Sequence, residues 1–165
     1  MKTVRLIFIQ KELLYDIANA AWIQGDVMPT EDEHQRHTVI DITQDGNRDR
    51  VVRMLNLYFA NVVELLYQYT RHEAVDESQQ NDQLIFPRKY IIRLSLPDDF
   101  SNTSVHYLKE LIHNYIVCRV LYDYLSITYP EAAQNWHDKA QRLQEDIKST
   151  TSHRVSYLKR KLNPW

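Results

Sequence analysis

Residues 103 to 129 constrain the fold of this chain more than any other stretch. Leu108, Leu111, Tyr115, Cys118, Tyr122 and Leu125 recur at intervals of three and four, with Ile112, Ile116 and Val120 beside them. That spacing predicts an α-helix from Thr103 to about Tyr129. Around the run IVCRVL the helix is apolar almost all round, so it suits the centre of a bundle, packed on several sides, better than a surface. Arg119, inside that belt, then needs either a partner or a path to solvent. At 165 residues the chain has the size of one domain, 1–165, and can bury roughly two thirds of the surface its unfolded form exposes. Apolar residues make up 44% and charged residues 25%, with a formal net charge of -2, the balance of a globular protein with no general attraction to nucleic acid.

The residues before this helix look built to aim it. In RLSLPDDFSNTS, Pro97 lacks an amide donor and ends a strand ladder, while Asp98 and Asp99 lie near the positive end of the coming helix. Ser101 or Asn102 can cap it; with Ser101 as cap, Phe100 and Val105 occupy the two positions of a hydrophobic staple. Upstream, Tyr90, Ile92, Leu94 and Leu96 alternate with Ile91, Arg93 and Ser95, which is the period of a strand. Paired with LIF (84–86) across Pro87 and Arg88, it predicts a small antiparallel hairpin at about 83–96.

Other elements follow by the same reasoning. A first helix is expected from about Ile9 to Gln24, with Gly25 as a left-handed C-cap. The preceding TVRLIFI reads equally as strand or helix. Residues 26–49 form an acidic connector, with Asp26, Glu31, Asp32, Glu33, Asp41, Asp45 and Asp49 against Arg36 and Arg48; a short helix is expected within it, from about Glu31 to Ile42. DGN (45–47) has turn chemistry, with Asn47 expected to cap a helix that reaches Arg71 on the stripe Val51, Leu55, Tyr58, Val62, Leu65, Tyr69. The polar segment 72–83 reads as a loop. Pro130 opens a last helix with Ala133, Trp136, Ala140, Leu143 and Ile147 on its packed face. The expected class is therefore mainly α: a bundle of four to five helices, one small β-hairpin and a basic tail at 150–165.

No residue pattern names a reaction. Only Gly25 and Gly46 occur, which argues against the glycine-rich turns of phosphate-binding loops, and no nucleophile elbow is present. The single cysteine, Cys118, lies on the apolar stripe, where it serves as a small core residue; it cannot form an internal disulfide and suits a reducing, cytoplasmic setting. LIFI near the start is too short for a signal-peptide core or a membrane span. His34, His37 and Asp41, at i, i+3 and i+7, would share a helical face with metal-ligand chemistry, although the same residues read as a solvated polar turn. The run from Asp41 mimics a calcium loop but has Val52 where a bidentate glutamate is required. No cofactor is expected.

The tail carries the clearest charge feature. Arg154, Lys159, Arg160 and Lys161 stand among the last dozen residues without one acidic side chain, and Val155, Leu158, Leu162 and Trp165 recur at three and four. Arg154, Tyr157, Lys159, Arg160, Lys161 and Trp165 are therefore the candidate partner-binding residues, docking on protein or touching nucleic-acid phosphates. Favourable placement of cations at the end of a last helix explains the same charges without a partner.

Two blocks, GDVM with EHQRHTVIDITQDGNRDRVVRMLNLYFANVVELLY, and LSLPDDFSNTSVHYLKELIHNYIVCRVLYDYLSITYPEAAQNWHDKAQRLQEDI, resemble small helical proteins encoded in prophage-like regions. The second is also similar in layout to tailed-phage head–tail connector (adaptor) proteins: a short strand pair, Leu-Pro, a central apolar helix, then a long amphipathic one. The resemblance implies a non-enzymatic virion assembly protein that forms a homo-oligomeric ring between portal and tail. The residues themselves leave two alternatives: a nucleic-acid-binding regulatory module using the tail, and a metal-dependent enzyme using His34, His37 and Asp41.

Overall fold

The computed structural model describes residues 1–29, 31, 33–70 and 88–152. Among these, strand β1 (Lys2–Ile9) leads directly into helix α1 (Gln10–Asp26), followed by α2 (Glu33–Ile40) and a 3₁₀ turn (Asp41–Thr43). Next come α3 (Asp45–Leu65), the single turn α4 (Tyr67–Thr70), β2 (Lys89–Leu96), α5 (Asn102–Thr128) and α6 (Pro130–Ser152). The protein is mainly α, as the periodicities predict, with one small antiparallel sheet among the described residues. No helix among the described residues is long and apolar enough to cross a membrane.

α5 is the axle of the bundle. It packs against α1, α2, α3 and α6, and twelve of its side chains are buried, Leu108, Ile112, Tyr115, Cys118 and Leu125 among them. Its start is fixed as the capping residues predict: the Ser101 hydroxyl accepts from the Ser104 amide at 3.2 Å, and Phe100 is buried. The Lys2 ammonium donates to the Phe100 carbonyl, so the beginning of β1 and the beginning of α5 are tied together. On α6, Ala133, Ala140 and Ile147 face the core, and Trp136 and Leu143 pack at its margin.

The sheet gives β2 a partner that local alternation does not name. β2 forms where alternation predicts it, but its partner is β1, antiparallel, in a register that opposes Leu6 to Ile92 and Phe8 to Tyr90. The pairing makes a long ladder over a shared core. Residues 2–9 offer eight matched positions with Leu6 and Phe8 facing the same core as Tyr90, Ile92, Leu94 and Leu96, and the Gln10 amide extends the ladder to the Arg88 carbonyl at 3.1 Å. LIF offers three positions, and it lies outside the described residues. The ambiguity of TVRLIFI is resolved in favour of strand.

Two further expectations are revised. Gly25 is not a left-handed cap, because α1 continues to Asp26 and ends on Val27 in right-handed conformation. A β-carbon at Gly25 would lie 2.5 Å from Ile40 Cγ1, so the glycine serves the close approach of α2 to α1. Asn47 does not cap α3. Gln44 precedes the helix without a side-chain cap, and Asn47 instead donates to the Asp41 carbonyl at 2.9 Å and the Tyr124 hydroxyl at 3.3 Å. Tyr124 in turn donates to the Thr38 carbonyl at 2.7 Å, and Gln35 donates to the Thr128 carbonyl at 2.8 Å. These bonds lock the acidic connector onto the C-terminal half of α5. The helix expected to reach Arg71 breaks at Leu66 and resumes as α4; Arg71 is outside the described residues.

Candidate functional site

None of the six tail residues singled out by sequence, Arg154, Tyr157, Lys159, Arg160, Lys161 and Trp165, falls within the described residues. What the fold does position is an exposed apolar face on α1. α1 buries Leu13, Ile17, Ala21 and Gly25, and its opposite face has no neighbour among the described residues: Tyr15 is 70% exposed, Trp22 56% and Ile23 56%, and Val27 just beyond the helix 76%. Tyr15 and Trp22 are two turns apart on one line of the helix, about 10 Å along its axis, and Asp26 continues that line. Large apolar side chains so exposed and so grouped are the usual mark of an interaction surface.

The far end of this strip is acidic. Asp26 pairs with Arg36 at 3.1 Å, while Glu31 and Glu33 are exposed with no ion pair among the described residues. The Gly25 contact holds α2 against α1, so the apolar strip and the start of α2, with Glu33, form one continuous face. Sequence reasoning recorded the acidic connector but not the apolar strip. The available signal was Trp22 and Ile23 falling on the face of the first helix opposite Leu13 and Ile17.

The second concentration of chemistry lies on α5 where α3 and α6 flank it. Tyr58 of α3 donates to Asp123 Oδ2 at 2.6 Å, and Tyr115 donates to Asn61 Oδ1 at 2.8 Å. The Arg119 guanidinium lies 4.9 Å from the Tyr58 ring centre and 5.7 Å from that of Tyr122, and the Tyr122 ring packs on His137 of α6 at 4.8 Å. Burial first, then the hydrogen bond to Asp123, pushes the Tyr58 hydroxyl far above its ordinary value, and burial pushes Tyr115 up as well. These hydroxyls therefore act as neutral donors. Tyr58 and Tyr115 are core residues, as the stripes predict, while Tyr122 stands at the core margin. Arg119 meets two ring faces rather than a carboxylate.

His34 and His37 are exposed on α2, and Asp41 accepts from the Gln44 amide at 2.7 Å. Among the described residues, no three His, Cys, Asp or Glu side chains come together as a metal site. The calcium-like run is 3₁₀ turn and helix, and Val52 is buried. Cys118 is buried, and burial pushes its thiol above its ordinary value, which disfavours the nucleophilic thiolate.

Compared with family models, curated proteins and solved structures, the chain matches none.

Proposed function

We propose that this protein is a non-enzymatic assembly module that works by docking on other protein chains, its own copies included. The observation that carries this reading is the face of α1 left uncovered by the described residues, where Tyr15, Trp22, Ile23 and Val27 are all more than half exposed near the acidic side chains of Asp26, Glu31 and Glu33. Its complement is present in the same sequence: the last dozen residues alternate cations with Val155, Leu158, Leu162 and Trp165. A contact from the tail of one copy to the α1 and α2 face of the next is head-to-tail, and such contacts close into a ring when the rotation permits. The finer reading, a connector-type ring of the kind found between a phage head and tail, rests on the sequence resemblance and on this head-to-tail complementarity.

Native mass spectrometry of the full chain tests the reading. We expect oligomers at low salt that dissociate as salt rises, and a shift to monomer in Trp22→Ser, a substitution of an exposed side chain that leaves the core intact. A chain that is monomeric at high concentration and low salt, and identical in the variant, contradicts self-assembly. Salt-dependent capture of DNA by the tail would favour the nucleic-acid alternative instead.

A further inference from the structure

A guanidinium in a protein interior ordinarily meets a carboxylate, because its five donors stay charged and need acceptors. Arg119 departs from that rule. It is half-buried on α5, it forms no hydrogen bond or ion pair among the described residues, and its Nε is buried without a partner. Asp123, one turn further along the same helix, would be the ordinary partner, but it is taken by the Tyr58 hydroxyl at 2.6 Å. The guanidinium carbon lies over the rings of Tyr58 and Tyr122, and among its nitrogens Nε is buried without a partner while the side chain as a whole stays partly open to solvent. Beyond the Tyr122 ring, His137 also has a buried nitrogen, Nδ1, with no partner. A cation held against two rings, with one buried unpaired nitrogen of its own and a second on His137 nearby, is suited to recognise an acceptor group.

We propose that Arg119 anchors a carboxylate-binding site on the face of α5 flanked by α3 and α6. The planar fork of a guanidinium matches the two oxygens of a carboxylate. The nearby Asp123 charge bears on the ligand class: it opposes any anion at Arg119, and a doubly charged phosphate about twice as strongly as a carboxylate. Tyr58 and Tyr122 supply apolar walls that exclude water from the ion pair and strengthen it. The carboxylate can belong to a small molecule or to a glutamate or aspartate of a docking polypeptide; the chemistry at Arg119 is the same for both. The site is separate from the α1 face and does not depend on it.

The test uses the ¹⁵N-labelled full chain, following the Arg119 Nε–H resonance and the His137 ring resonances by NMR. Sodium acetate should move them along a saturable curve, while sodium chloride at matched ionic strength should not. In Arg119→Lys, which keeps the charge and loses the fork, half-saturation of the His137 response should rise about tenfold or more. A capped peptide with one glutamate distinguishes the sources: tighter binding than acetate assigns a polypeptide carboxylate, and equal or weaker binding assigns a small one. Resonances that follow ionic strength alike for acetate, phosphate and chloride overturn the proposal. So does a preference for phosphate, or a His137 response unchanged in Arg119→Lys.

Discussion

Gly25→Ala should destabilise this protein, although the same change at most helical positions stabilises. Within a helix, alanine is favoured over glycine by about 1 kcal/mol. Here the added methyl would sit 2.5 Å from Ile40 Cγ1 and 3.0 Å from Ile40 Cδ1, with the Arg36 carbonyl at 3.4 Å. The closest atom is a carbon next to the branch point of a β-branched side chain, which cannot swing aside as a chain tip would, so α2 or Ile40 must move. Overpacking of this kind costs about 1–3 kcal/mol, and the balance is a net loss of about 1 kcal/mol. For a chain of this size that lowers the thermal midpoint by about 2–4 °C. The decisive comparison is a double-mutant cycle with Ile40→Ala, which removes both contacting carbons: in that background Gly25→Ala should become neutral or stabilising, with a coupling energy of about 1–3 kcal/mol. Urea unfolding followed by circular dichroism measures all four proteins. A single Gly25→Ala variant more stable than the parent, or strictly additive effects, would refute the packing argument and with it the claim that α1 and α2 form one face.

Three other outcomes follow from the core. Ser101→Ala should lose about 1 kcal/mol in urea unfolding, because the Ser104 amide loses its side-chain acceptor and keeps only the Ser101 carbonyl, while Ser101→Asp should retain most of the stability. Burial pushes the Tyr90 hydroxyl, which donates to Asn56 Oδ1 at 2.7 Å, up to about 12, and raises Tyr58, Tyr115 and Tyr124 as well. Groups raised in the folded state favour folding fully below the unfolded value of about 10 and lose that contribution as pH rises through 10 towards 12, so the urea midpoint should fall between about pH 9 and about pH 11. Cys118 should resist an aromatic disulfide reagent in the native state and react at the rate of global unfolding, because it lies in the centre of α5; rapid labelling without denaturant would contradict that placement.

Much of the scaffold was legible because it obeys local rules. The stripe of α5, the Ser101 cap, the proline start of α6 and the alternation of 90–96 are each decided by neighbours within a few residues. The pairing of β2 with residues 2–9 was not legible, since it is made across the chain by ladder length and a shared core. Gly25 was misread for a related reason: a glycine near a helix end is locally a cap, and only the approach of Ile40, fifteen residues on, reveals the contact it permits. Asn47 likewise had a plausible local role that Tyr124, from a distant helix, displaced. Among site residues, the lone Arg119 in an apolar belt was a readable warning, but its two tyrosine neighbours come from different helices and Tyr58 looked like ordinary core. The apolar strip of α1 was present in the spacing of Tyr15, Trp22 and Ile23, masked by the stronger stripe behind it.

Zero-length carbodiimide cross-linking of an equal mixture of ¹⁵N-labelled and unlabelled full-length protein tests docking between copies most directly. The account predicts mixed-isotope cross-links joining the amines of Lys159 and Lys161 to the carboxylates of Asp26, Glu31 and Glu33, reduced by salt and by Trp22→Ser. Cross-links found only within one chain, or joining those lysines to carboxylates elsewhere in the neighbour, would contradict it.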